Sequence, residues 1–299
     1  MKKVVTFIVL VGAIAACQPQ AAQTTATSVV AQAAATQAQP AAPAVAAPLP
    51  VLFAPTDTLT QPMRELLRAH DLSALWQSIG NYGGLRGFEG FFGPSHFRFG
   101  MIFTQARRDA TDPAVYHVAG KSRYFQSHTT RPFTGTLTVR QLADLSYPGF
   151  LAAKARSEEK AADSLAGRTY TAHARLQLQE ETRENSGLFE GEVLLDFCVV
   201  PGQPPSFVYV FAFEGTDDRL PTRGAGLLLR GNRRNVSTGQ VKPFLVSPDL
   251  AAIAPDIFKD FMLDERLGQI NPKYAKLGWN EYWQVDEWWA DSAKPKLSL

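Results

Sequence analysis

Between Phe88 and Val246 apolar and polar residues alternate with period two in run after run. A chain with this rhythm puts every second side chain on one face, which suits a half-buried β-strand and not an amphipathic helix. Phe97, Phe99, Met101 and Phe103 share one face while His96, Arg98, Gly100 and Thr104 share the other, with Ile102 out of phase. Phe133, Leu137 and Val139 oppose Thr134, Thr136 and Thr138; Tyr170, Ala172, Ala174, Leu176 and Leu178 oppose Thr171, His173, Arg175, Gln177 and Gln179. Phe189, Val193, Leu195 and Phe197 continue the pattern, followed by Phe207, Tyr209, Phe211 and Phe213. With Val115 to Tyr124, Gly226 to Arg230 and Gln240 to Val246, the reading gives about eight strands separated by Gly/Pro/Asp turn signals.

A sheet of that size must dispose of its two edges. The sequence therefore predicts a mainly β fold, an antiparallel up-and-down barrel or a two-sheet sandwich. In strand number and in glycine-interrupted aromatic strands, notably Gly87-Phe88-Glu89-Gly90-Phe91-Phe92-Gly93, the region resembles the lipocalin class, which implies a barrel. Helical spacing predicts flanking elements at Pro62 to Ser78, Phe150 to Ala166 and Pro255 to Leu267, closing the ends of the sheet.

The C-terminus concentrates Trp279, Trp283, Trp288 and Trp289 with Tyr274 and Tyr282. Such rings either plug the sheet or form a stacking platform for a sugar or lipid headgroup. On the second reading Trp279, Tyr282, Trp283 and Trp289 are the ligand-binding candidates.

The N-terminus carries an address. Lys2 and Lys3 precede an apolar run from Val4 to Ala13, then Ile14-Ala15-Ala16-Cys17. The run falls short of the roughly 20 residues of a membrane-spanning helix. The segment resembles a bacterial lipoprotein signal peptide. That resemblance implies removal of residues 1–16, lipid on Cys17, and, because Gln18 is not Asp, anchoring in the outer membrane facing the periplasm. Residues 18–50 lack charge and aromatic rings, so they read as a disordered Ala/Gln/Thr/Pro tether following the lipidated cysteine. Residues 51–299 read as one globular domain: a helical lead-in (51–87), the strands (88–246) and a helical, aromatic cap (247–299).

Chemical motifs are sparse. A net charge of +2 gives no reason to expect nucleic acid. Arg230, Arg233 and Arg234 read as a solvated turn, and Cys198 as a small buried residue with no partner if Cys17 is acylated. Ala119-Gly120-Lys121-Ser122 has the ending of a phosphate loop but lies in a strand pattern with Val115 where the loop needs glycine. The histidines at 70, 96, 117, 128 and 173 lack metal-ligand spacing; only a site assembled across strands from His96, His117 and His173 stays open. Acid pairs for glycoside hydrolysis are conceivable among Glu89, Glu190, Glu192, Asp196 and Glu214, each read as a solvated strand residue. No cofactor, metal or catalytic residue is expected. Three functions remain: a non-catalytic scaffold or protein-interaction domain of the envelope, a lipocalin-like carrier of a small apolar or glycan ligand, and a hydrolase whose site the linear sequence hides.

Overall fold

The computed structural model describes residues 59–77, 87–145, 168–182, 184–208, 221–253, 260, 262–264, 269–280, 282 and 287–290. The chain divides into two units, Met1–Ala47 and Pro48–Leu299, and every described residue belongs to the second. Cys17 and the tether, the expected helix from Phe150 to Ala166, Tyr209 to Phe213, Glu214 and Trp283 lie outside the described residues.

The period-two runs form nine strands: β1 Phe88–Phe92, β2 Phe97–Arg108, β3 Val115–Tyr124, β4 Thr129–Asp144, β5 Arg168–Glu180, β6 Gly187–Val199, β7 Ser206–Phe207, β8 Leu227–Asn235 and β9 Val241–Ser247. All pairings are antiparallel, in the order β5-β4-β3-β2-β1-β9-β8-β6-β7, and a further β5–β6 pairing closes eight strands into a ring. The ring removes the edges that an open sheet would expose. It is not a regular barrel: β1 has 5 residues and β4 has 16, and register shifts interrupt β2–β3 and β4–β5. Gly191 faces Gly231 where β6 and β8 pinch together, and a Cβ on Gly191 would sit 2.1 Å from the Arg230 carbonyl oxygen. Only glycine allows so close a backbone approach.

The predicted phases hold in β2, β4, β5 and β6, whereas Phe207, the one described residue of the run to Phe213, is 42% exposed. Phe97, Phe99, Met101 and Phe103 face the lumen, with Leu137, Val139, Ala172, Ala174, Leu176, Leu178, Phe189, Val193, Leu195 and Phe197 in the same core. The lead-in forms two helices rather than one, α1 Gln61–Ala69 and α2 Ser73–Trp76. Both join this core through Leu67, Leu72 and Trp76, and the Trp76 ring meets Tyr116 edge-on at 5.8 Å.

A second apolar layer lies outside the ring, where Phe91, Leu194 and Leu228 pack with Leu250, Ile253 and Trp279. A separate outer cluster explains Ile102, the out-of-phase residue, which is fully buried against Phe125 and Trp288. Most of the expected helix from Pro255 to Leu267 lies outside the described residues; within it Asp260 is helical and Met262–Asp264 is extended. The described residues there give a short helix further upstream, α3 Leu250–Ile253, and a strand, β10 Met262–Asp264, paired with β11 Gln269–Ile270. The arginine cluster is likewise on a strand, not in a turn: along β8 Arg230 and Arg234 are exposed while Arg233 is buried.

Candidate functional site

Four places bring polar or aromatic chemistry together. The first is the lumen. β2 and β6 stand opposite each other in the ring, yet Phe99 and Phe189 meet across it with centroids 6.0 Å apart, and Phe244 contacts both, at 6.5 and 5.4 Å. At one end of the lumen this aromatic stack gives way to a buried polar network. Glu180 accepts hydrogen bonds from Ser122 Oγ and Tyr124 OH, each at 2.8 Å, and pairs with Arg233 Nη2 at 2.8 Å. Arg233 Nη2 also donates to the Asn185 carbonyl. Burial, reinforced by the Glu180 charge, pushes the Tyr124 hydroxyl well above its ordinary range. The Tyr124 hydroxyl thus stays protonated, and both carboxylate oxygens of Glu180 accept, Oε1 from two hydroxyls and Oε2 from Arg233.

The second is the aromatic C-terminus. Trp279 is fully buried against Phe91 and Tyr282 and donates from Nε1 to the His96 carbonyl at 2.9 Å. Trp288 is buried against Phe125 and the half-buried Trp289, whose carbonyl accepts from Lys121 Nζ at 2.6 Å. Of the ligand-binding candidates, Trp279 and Tyr282 come together and Trp289 packs separately with Trp288. Between the two groups lies Arg98, its side chain 2% exposed, its guanidinium 3.7 Å from the Phe125 ring centroid and its Nε and Nη2 forked onto Glu89 at 2.9 and 2.7 Å.

The third is Asp196, buried on the outer wall. It accepts from Thr171 Oγ1 at 2.6 Å and from Thr222 Oγ1. Burial pushes its carboxyl up to about 7, against the two hydroxyl hydrogen bonds that favour the charge. The other acids sit apart from it: Glu89 holds Arg98, and Glu192 holds Arg230 at 2.9 Å with His173 at 3.7 Å. His117 binds Asp109 at 2.8 Å and His96 lies in the β1–β2 turn. Among the described residues no three potential metal ligands converge.

The fourth is a groove of about 650 Å³ at the opposite rim, between α1, the start of α2 and the end of β2. Its polar wall comprises Arg68, Asp71, Ser73, Arg107, Arg108 and Asp109. Arg108 is set by the fold: its amide donates to Ser73 Oγ at 3.0 Å, and its Nη1 donates to the Leu67 carbonyl at 2.7 Å, satisfying an end of α1.

No protein-family model, curated protein or solved structure matches this chain.

The buried charges escaped the sequence reading although each had a signal. Glu180 continues the inward phase of Ala172 to Leu178, and Arg233 that of Leu227 and Leu229, so two apolar faces each end in a charge. A charge in that phase requires a partner of opposite sign. The groove had no such signal, because it joins residues about 40 positions apart in the chain.

Proposed function

We propose that this chain is a non-catalytic interaction domain of the bacterial cell envelope, held by lipid on Cys17 at the outer membrane, facing the periplasm, and acting through its outer surface and rim. One observation carries the choice between this reading and a carrier: Phe99 and Phe189 touch across the lumen at 6.0 Å. A carrier of an apolar or glycan ligand needs an enclosed pocket of roughly 300 to 1,000 Å³. Rings in contact from opposite walls occupy the space in which a lipocalin-like ligand would lie. Glu180 in the lumen takes bonds from Ser122, Tyr124 and Arg233, which supports a structural role for this network. The anchor rests on the lipoprotein resemblance of residues 1–17, and the uncharged segment after Cys17 suits a spacer between membrane and domain.

Two measurements test the proposal. Cys17→Ser should move the full chain from the membrane fraction to the soluble envelope fraction; membrane partition that survives a high-salt wash in the variant overturns the anchor. Native mass spectrometry of the same soluble variant should show no phosphate-free apolar or glycan ligand. Such a ligand retained at one molecule per chain would favour the carrier instead.

A further inference from the structure

We propose that the rim groove binds a phosphate-bearing small molecule, gripped by Arg68, Arg107 and Arg108. The groove, at about 650 Å³, falls within the size range of small-molecule sites. Three arginines, Arg68, Arg107 and Arg108, line it with two aspartates, Asp71 and Asp109, whose Oδ1 atoms are taken up by their own loops. Asp71 Oδ1 accepts from the Ser73 amide at 2.9 Å and from Ser73 Oγ at 2.7 Å. Asp109 Oδ1 accepts from the Thr111 amide at 2.8 Å and Thr111 Oγ1 at 2.7 Å, while Oδ2 faces His117. The His117 contact, then the Thr111 and Asp112 contacts, hold the Asp109 carboxyl well below the usual carboxylate range, so it stays charged and locked to its turn.

The cations are differently disposed. Arg68 and Arg107 are exposed, and neither side chain has an ion-pair partner among the described residues. Arg108 is half-buried and fixed through Nη1 on the carbonyl groups of Leu67 and Arg68. Its nearest carboxylate oxygen, Asp71 Oδ2, stands 4.0 Å from Nε, beyond hydrogen-bond range. One guanidinium is therefore ordered before any ligand arrives and two more are available beside it. Preorganisation of this kind reduces the ordering entropy that binding costs. Together the three groups present more donors than a carboxylate's two oxygens accept, whereas a phosphate monoester offers three acceptor oxygens and close to two negative charges.

The test is a titration of the full chain, at constant ionic strength, with inorganic phosphate, glycerol phosphate and acetate in parallel. Both phosphates should bind saturably, acetate about tenfold more weakly or less, and Arg68→Ala/Arg107→Ala should weaken phosphate about tenfold without changing the melting temperature. Tighter binding of glycerol phosphate identifies an esterified headgroup or sugar as the source, and tighter inorganic phosphate a free anion; either supports the site. Acetate binding equal to phosphate, an unchanged affinity in the double variant, or no saturable binding of either phosphate overturns it. The readout is independent of the lipid anchor and of the lumen, so it separates from failure of the proposed function.

Discussion

Glu180 and Arg233 form an ion pair inside the strand ring, with Oε2 2.8 Å from Nη2 and side chains 0% and 9% exposed. Two charges removed from water gain little over a well-packed apolar pair, but either one alone is a severe penalty. Glu180→Leu or Arg233→Met should each lower the unfolding free energy by about 3 to 5 kcal/mol, while the double variant should lose less than either single one. Urea unfolding of the four proteins gives the cycle. Additive losses would mean that the pair is not coupled.

Phe99 is fully buried at the centre of the aromatic stack, with Phe92, Tyr124, Phe189 and Phe244 around it. Phe99→Ala should cost about 3 to 5 kcal/mol, as large-to-small changes in aromatic cores do. The apolar void it leaves should also take up a small aromatic probe such as benzene, detectable as a ligand-dependent rise in melting temperature. The wild-type chain should show no such rise. A rise of equal size in the wild type would mean that the lumen already has room for a ligand.

Residue rhythm made the strands legible because period two is a local property of each run. Even the misphased Ile102 was visible, though not its cause, since Phe125 and Trp288 reach it from distant parts of the chain. Closure of the ring through β5 and β6 was likewise an inference from edge physics rather than from any residue. The candidate site was less legible. Arg68 and Arg107 belong to separate elements, and nothing in either local sequence marks them as neighbours across one groove. Arg233 shows the converse difficulty: its two arginine neighbours within the cluster made it look solvated, whereas alternation along β8 turns it inward.

Asp196 should make stability fall as pH rises. Its carboxyl is pushed up to about 7 in the folded chain by burial, whereas an unfolded aspartate titrates near its ordinary value of 3.8. Between those values the folded chain holds a proton that the unfolded chain has released, so stability is greatest below the unfolded value and is lost progressively until pH reaches about 7. At about 1.4 kcal/mol per unit, the loss is on the order of a few kcal/mol. Asp196→Asn should remove this slope, because a neutral amide carries no desolvated charge. Parallel slopes for the two proteins in denaturant titrations across that window would assign the pH dependence to other groups.

Trp279 decides between packing and display for the C-terminal rings. Its side chain is fully buried, its ring lies 5.4 Å from Phe91 and 5.8 Å from Tyr282, and its indole N–H is satisfied by the His96 carbonyl. Trp279→Ala should therefore lower stability by about 3 to 5 kcal/mol. Trp279→Phe keeps a ring in place but leaves the carbonyl without its donor, and should lose less, with about 1 to 3 kcal/mol coming from the broken hydrogen bond. Trp289 is only half-buried, so Trp289→Ala should be the mildest of the three. Thermal and urea unfolding rank the variants. A Trp279→Ala chain as stable as the wild type that no longer binds an immobilised glycan or lipid panel would reverse the assignment and make the aromatic end a binding platform.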